Sequence, residues 1–375
     1  MHRSPVLTLL LALAASASFA HADTIRRTDG KVLDDVTIVE ESLKEVSYRD
    51  NNQTRIVPSD EVLEIEYRRR PRLVDEAQTA LAENQLADAE ALFDAYVDGH
   101  LGGNEETRYK WAPAYAAWRV VDLRMMMGNL PGVVAGADRF LTSFPASRFV
   151  PHAYMTKANA QAWQGKAAEA KKTLEAFTKV VVDQQLSKRW QLESRLALVS
   201  TDPELGAATR RDRLDKIQEE AGTTYPTVRN RALVAEGESY LEEILNVQDP
   251  KKREQAVEKA RVIFEEILAD FKGEAETLAG AFTGLGECIF HEAVAKDSNP
   301  ELLGEARHNF LRVRVLYPEQ SRYVPKALFF AGRSFQLLGR KTNDAEALER
   351  GEQMYREVIN TFPDSPWAEQ AKKFR

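Results

Sequence analysis

From about residue 73 onward, apolar positions recur three and four apart. One spacing returns along the chain: a small or apolar residue, followed by others at +4, +7 and +11. It occurs as Ala89, Phe93, Tyr96 and His100, as Val133, Ala137, Phe140 and Phe144, and as Ala170, Leu174, Phe177 and Val181. Later copies are Ala260, Phe264, Ile267 and Phe271, then Ala306, Phe310, Val313 and Tyr317, then Gly351, Tyr355, Val358 and Phe362. At 100° per residue the four positions fall within about 60° of one another, so each set is one stripe on one helix. The copies start 37–46 residues apart, except for a gap of 90 between 170 and 260. That gap predicts a degenerate copy near Arg210, Leu214, Ile217 and Ala221. Seven units with a period in this range mean stacked helix pairs rather than one globule.

Residues 23–67 follow a different period. Thr24-Ile25-Arg26, Val32-Leu33, Val36-Thr37-Ile38-Val39, Val46-Ser47-Tyr48-Arg49 and Arg55-Ile56-Val57 are separated by polar turns such as Asp29-Gly30 and Asp50-Asn51-Asn52. Val62-Leu63-Glu64-Ile65-Glu66-Tyr67 alternates apolar and charged residues, as a half-buried strand does. Four or five short strands in so few residues predict a small SH3-like β module. The run Arg68-Arg69-Arg70-Pro71-Arg72 then marks a boundary, either as a solvated linker or as a contact for an acidic partner. The expected division is a leader at 1–22, a β module at 23–70 and a mainly α solenoid of about seven helix pairs at 71–375.

Helix starts are expected at Asp202-Pro203, Asp249-Pro250 and Asn299-Pro300, where a capping side chain precedes a proline that lacks the N–H the first turn cannot use. The joints between units also repeat. Phe144-Pro145-Ala146-Ser147-Arg148-Phe149-Val150-Pro151 parallels Tyr317-Pro318-Glu319-Gln320-Ser321-Arg322-Tyr323-Val324-Pro325, and Phe362-Pro363-Asp364-Ser365-Pro366-Trp367 is a third version. Proline should end one helix, Ser should cap the next, and the aromatic should pack back on the helix just finished.

These residues resemble the tetratricopeptide repeat (TPR) family. The joints are similar to those of bacterial envelope members, such as the Tol–Pal coordinator and the outer-membrane assembly lipoprotein that works with the β-barrel insertase. Ala158, Gln161 and Gly165 before Ala170, Gly286 with Ile289, and Gly332 with Phe335 hold the corresponding first-helix positions. The resemblance covers residues 73–375. It departs from the family in about 7–11 extra residues between paired helices, for instance Lys296 to Leu303 and Arg340 to Glu346, and in the missing lipoprotein cysteine. It implies a TPR α-solenoid that binds a protein or peptide.

The first residues change where that binding is expected. His2 and Arg3 precede an uncharged stretch rich in Leu, Ala and Ser, and Ala20-His21-Ala22 ends it with small residues two apart. This reads as a secretory signal peptide cut after Ala22, which places the protein in the periplasm or outside the cell. No later run reaches 18 apolar residues, so no integral membrane segment is expected after cleavage. The net charge of −7 argues against a nucleic-acid footprint. A lone cysteine, Cys288, excludes an intramolecular disulfide scaffold.

No catalytic constellation is legible. His100, His152, His291 and His308 lack metal-ligand spacing, and the chain has no nucleophile elbow, phosphate loop or dinucleotide fingerprint. Met125-Met126-Met127 cannot share one helix face and reads as core plus edge packing. A non-enzymatic interaction scaffold without cofactor or metal is expected, with a structural accessory of outer-membrane or peptidoglycan assembly as the alternative. The candidate contacts are Arg148 and Arg322. Each stands at a helix start, where a cation gains nothing from the dipole. Each is kept there either for a partner or for an acidic residue of the preceding unit.

Overall fold

The computed structural model describes residues 23–101, 109–244, 247–270 and 274–375. The leader reading at 1–22 and the stripe position Phe271 lie outside them. The described residues begin with strands β1 Asp23–Arg27, β2 Val32–Glu41, β3 Glu45–Asp50, β4 Gln53–Pro58 and, after a 3-10 turn at Ser59–Glu61, β5 Val62–Glu66. They form one antiparallel sheet in the order β4-β3-β2-β1-β5. The two expected segments Val32-Leu33 and Val36–Val39 are a single strand, kinked at Asp35, whose φ is 58°. Ile25, Val36, Val46, Tyr48, Val57 and Ile65 alternate inward into a small core of their own.

Fifteen α-helices follow among the described residues. They are α1 Arg72–Ala82, α2 Leu86–His100, α3 Ala112–Met126, α4 Leu130–Ser143, α5 Val150–Trp163, α6 Ala167–Asp183, α7 Lys188–Thr201 and α8 Ala207–Ala221. The rest are α9 Pro226–Ile244, α10 Pro250–Asp270, α11 Ala275–Ala295, α12 Pro300–Leu316, α13 Val324–Thr342, α14 Ala345–Thr361 and α15 Pro366–Phe374. Each packs on the next, making seven antiparallel pairs and a terminal helix. From α3 onward each odd-numbered helix also touches the next odd-numbered one, while even-numbered helices make no comparable contact with each other. The odd helices therefore form a continuous inner layer and the even helices an outer one, the packing of a helical-repeat solenoid.

All seven stripes lie on the even helices, the degenerate copy at Leu214, Ile217 and Ala221 included. Their first three positions are buried, apart from the half-buried Arg210 of that copy. At Phe264, Phe310 and Tyr355 the +4 aromatic fills space left by glycine on a facing odd helix. A Cβ on Gly284 or Gly237 would lie 2.2 or 2.6 Å from the Phe264 ring, one on Gly286 2.7 Å from Phe310, and one on Gly332 2.6 Å from Tyr355.

Four local expectations are corrected. Asp202-Pro203 closes α7 instead of opening α8, because a residue before proline is pushed to extended backbone, and Asp202 is extended. Asn299 does cap α12, accepting from the backbone of Glu301 and Leu302. Ser365 caps α15 through the amides of Trp367 and Ala368, but Ser147 and Ser321 do not cap, since α5 and α13 begin three residues later at Val150 and Val324. Proline's place in the first turn sets each start: directly after Ser365, but four residues after Ser147 and Ser321. The joint aromatics reach past the helix just finished to the odd helix before it. Phe149 stacks on Trp118 of α3, Tyr323 lies against Gly280 of α11, and Trp367 meets Phe329 and Phe330 of α13. The extra residues near 296 and 340 mostly lengthen α11 and α13, leaving connections of four and two residues. Among the described residues no helix is long and apolar enough to cross a membrane.

Candidate functional site

The odd-helix layer holds a cavity of about 320 Å³, bounded by α5, α7, α9, α11 and the joint before α13. Met155, Trp163 and Leu196 give it apolar wall, and Asn159, Ser200 and Thr277 give it neutral polar groups. Its charges form a relay between helices. Arg231 of α9 donates to Glu193 of α7 at 2.8 Å and lies 3.4 Å from Glu276 of α11. Arg322 donates to Glu238 of α9 at 2.9 Å and lies 3.8 Å from Glu276. Arg210 pairs with Glu242 at the outer-layer side. Glu276 thus stands between two guanidinium groups that come from different repeats.

Burial governs the electrostatics. Glu193 is 2% exposed, and burial pushes its carboxyl above the usual range although Arg231 opposes the shift. Burial alone would lower Arg231, but Glu193 and Glu276 outweigh it and hold the guanidinium charged. Arg322 is likewise held charged against burial, by the carboxylates of Glu238 and Glu276. Burial pushes the Tyr323 hydroxyl well up, so it stays neutral. Thr277 is buried, and among the described residues its hydroxyl has no hydrogen-bond partner. The relay continues along the layer, where Lys326 of α13 pairs with Glu287 of α11. Burial works to raise Glu287, yet Lys326 and His291 leave it below its ordinary value.

The structure places the two candidate arginines at equivalent joints about 170 residues apart in sequence, and does not bring them together. Arg322 lines the cavity. Arg148 is buried against the β module: its Nε donates to Glu41 at 2.6 Å, and the Tyr67 hydroxyl donates to the other Glu41 oxygen. Tyr67 stacks in parallel on Trp111 with ring centroids 3.4 Å apart. Ser187 donates to the Asp60 carboxylate at 2.7 Å, and Arg189 donates to the Asp60 carbonyl. The β module therefore sits against the starts of α3, α5 and α7 and covers one end of the inner layer. The cavity is the stretch just beyond it.

Sequence reasoning did not find Arg231, Glu193, Glu276 or Thr277. A signal was present for Arg231, which stands three residues after Val228 and four before Ala235, two buried positions of the α9 core face. A charge at core spacing marks a buried ion pair. Among the described residues no group of three or more His, Cys, Asp or Glu side chains is placed to hold a metal ion.

No family model matches the chain, and no curated protein matches it. Among solved structures it is similar to the apo form of RapI, at 13% identity over 78% of this chain and 97% of that one, with a TM-score of 0.49. It is also similar to yeast Tom70, at 14% identity over 78% of this chain and 69% of that one, with a TM-score of 0.22. Likeness at this level leaves the repeat architecture to stand on the helix packing itself.

Proposed function

We propose that this protein is a non-enzymatic TPR-type scaffold that holds a protein or peptide partner on its inner layer, with the α5–α11 cavity as the anchoring pocket. The observation that carries the reading is the interhelical relay of Glu193, Arg231, Glu276 and Arg322 around an unpartnered Thr277 hydroxyl. Ion pairs shared between repeats hold the spacing of α7, α9, α11 and the joint before α13, and the Thr277 hydroxyl at the cavity offers a hydrogen bond that no described residue uses. The cavity suits one side chain or chain end of a partner rather than a drug-sized ligand. Arg322 is then a partner contact, and Arg148 serves the joint with the β module. The order of the five strands and the 3-10 turn before β5 support an SH3-like module. The leader and the envelope-type joints support export to the periplasm or cell exterior.

The test is site-specific photo-crosslinking from Asn159, at the cavity, and from Val182, exposed on the outer layer. A discrete adduct from Asn159 that disappears in Arg322→Glu, with none from Val182, is the expected result. Adducts of equal yield from both positions would sink the proposal. Export is checked by the N-terminal mass of secreted material, expected at Asp23.

A further inference from the structure

Strand β2 outruns its neighbour. Its pairing with β1 ends at Asp23 opposite Val36, but its pairing with β3 continues from Thr37 to Glu41, with a bulge at Val39. On the β1 side, residues 37–41 have no strand beside them among the described residues. The first open backbone amide there, Ile38 N–H, is met by the Asp23 carboxylate at 3.0 Å, whose other oxygen accepts from the amide of Arg68 at 2.9 Å. A carboxylate already stands where the next strand would run.

This open edge faces a cleft of about 750 Å³. The opposite wall is Trp111 and Ala114 at the start of α3, with Phe144-Pro145-Ala146 from the joint before α5. Val39, half exposed, lies along the edge. The rim carries Arg68, Arg69 and Lys110, all exposed, and none of the three side chains has an ion-pair or hydrogen-bond partner among the described residues. Of the acids in the cleft, Asp23 is engaged by two amides and Glu41 by Arg148 and Tyr67, which leaves Glu40 against three free cations.

We propose that this cleft binds an extended acidic peptide of a partner protein, added as a strand beside β2. A strand edge recognises backbone, so the occupant must be extended, and five residues of edge span about 16 Å. The three unpaired cations select acidic side chains and speed encounter. Val39 and Phe144 favour apolar residues at the alternating positions. An open edge is otherwise a liability in a folded protein, and here one wall of helix and a basic rim restrict what can pair with it. The proposal is independent of the α5–α11 cavity, which lies on other helices.

The proposal rests on removal of residues 1–22, and the experiment is fluorescence anisotropy of the chain from Asp23 onward with a labelled hexapeptide of alternating Glu and Val. Three comparisons accompany it: the same peptide N-methylated at alternate amides, a Lys/Val peptide, and the protein variant Arg68→Glu/Arg69→Glu. We expect saturable binding to Glu/Val that weakens with salt, at least tenfold weaker binding of both comparison peptides, and at least tenfold loss in the variant. The variant should keep the parent melting curve, since both side chains are exposed and have no partner among the described residues. Absence of binding at millimolar peptide, equal binding of the N-methylated peptide, or full binding by the charge-reversed variant would each overturn it. So would self-association of the chain that the same variant abolishes, because the edge would then serve a second copy.

Discussion

Gly284→Ala tests the packing of the repeats through its sign. In an open helix interior this change stabilises by about 1 kcal/mol, because glycine has more backbone freedom to lose. At Gly284 the new methyl would lie 2.2, 2.3 and 2.6 Å from three atoms of the Phe264 ring. The ring is fully buried and cannot retreat, since a Cβ on Gly237 would lie 2.6 Å from it on another side. Overpacking of this kind costs about 1–3 kcal/mol, and a contact this short belongs at the upper end. The expected net effect is destabilisation by about 2 kcal/mol, opposite to propensity. The control is Gly304→Ala in α12, where a Cβ meets nothing within 4 Å and propensity alone should act, stabilising by about 1 kcal/mol. The assay is equilibrium unfolding in urea followed by helical circular dichroism. Phe264→Leu placed in the Gly284→Ala background should recover part of the loss, giving a coupling energy above about 0.5 kcal/mol. If Gly284→Ala is as stable as the parent or more so, the glycine–aromatic fit is not what sets the spacing of α9, α10 and α11.

Arg148→Met leaves Glu41 buried without its cation and should destabilise by about 3–5 kcal/mol, whereas Arg148→Met/Glu41→Leu should lose much less; urea titration with tryptophan fluorescence from the Trp111 region reads both. Cys288 is fully buried, and burial pushes its thiol far up, so a thiol reagent should label it in denaturant and leave the native chain unreacted for hours. Glu220 of α8 is held at about 2 by Arg195 and Lys188 of α7. A depressed carboxyl contributes its stability above about pH 4.5 and loses it as pH falls toward 2, so Glu220→Gln should lower stability above about pH 4.5, flatten the profile between there and pH 2, and match the parent near pH 2. An unchanged acid limb would show that the pair is solvent-screened.

The periodic part of the fold was legible because burial repeats. Phe93, Phe140, Phe177, Phe264, Phe310 and Tyr355 each sit where a helical stripe puts them, and all are buried. The joints were legible as boundaries but not as contacts. Phe149, Tyr323 and Trp367 reach the helix two before their own, a relation set by how pairs stack rather than by neighbours in sequence. The inner-layer site was hidden for the same reason. Glu193, Arg231, Glu276 and Arg322 come from four segments up to about 130 residues apart, and each alone looks like one more charge on a charged helix. The cleft was half legible: the basic run at Arg68–Arg72 stood out, but the open edge of β2 depends on where β1 stops pairing.

The docking of the β module has a consequence for how the chain reaches its native state. Helical arrays draw almost all their contacts from adjacent units, so they fold quickly and from any point. Here Glu41 bonds Arg148 across 107 residues, and Asp60 bonds Ser187 and Arg189 across 127 and 129. These long closures raise the contact order of the first half alone. During synthesis the five strands emerge before the helices, yet Glu41 has no cation until α5 begins, and Asp60 lacks Ser187 and Arg189 until α7 begins. Docking of the β module must wait until the chain has reached α7. Once docked, it ties α3, α5 and α7 into one cooperative block. Hydrogen exchange should then show the N-terminal half opening as a unit.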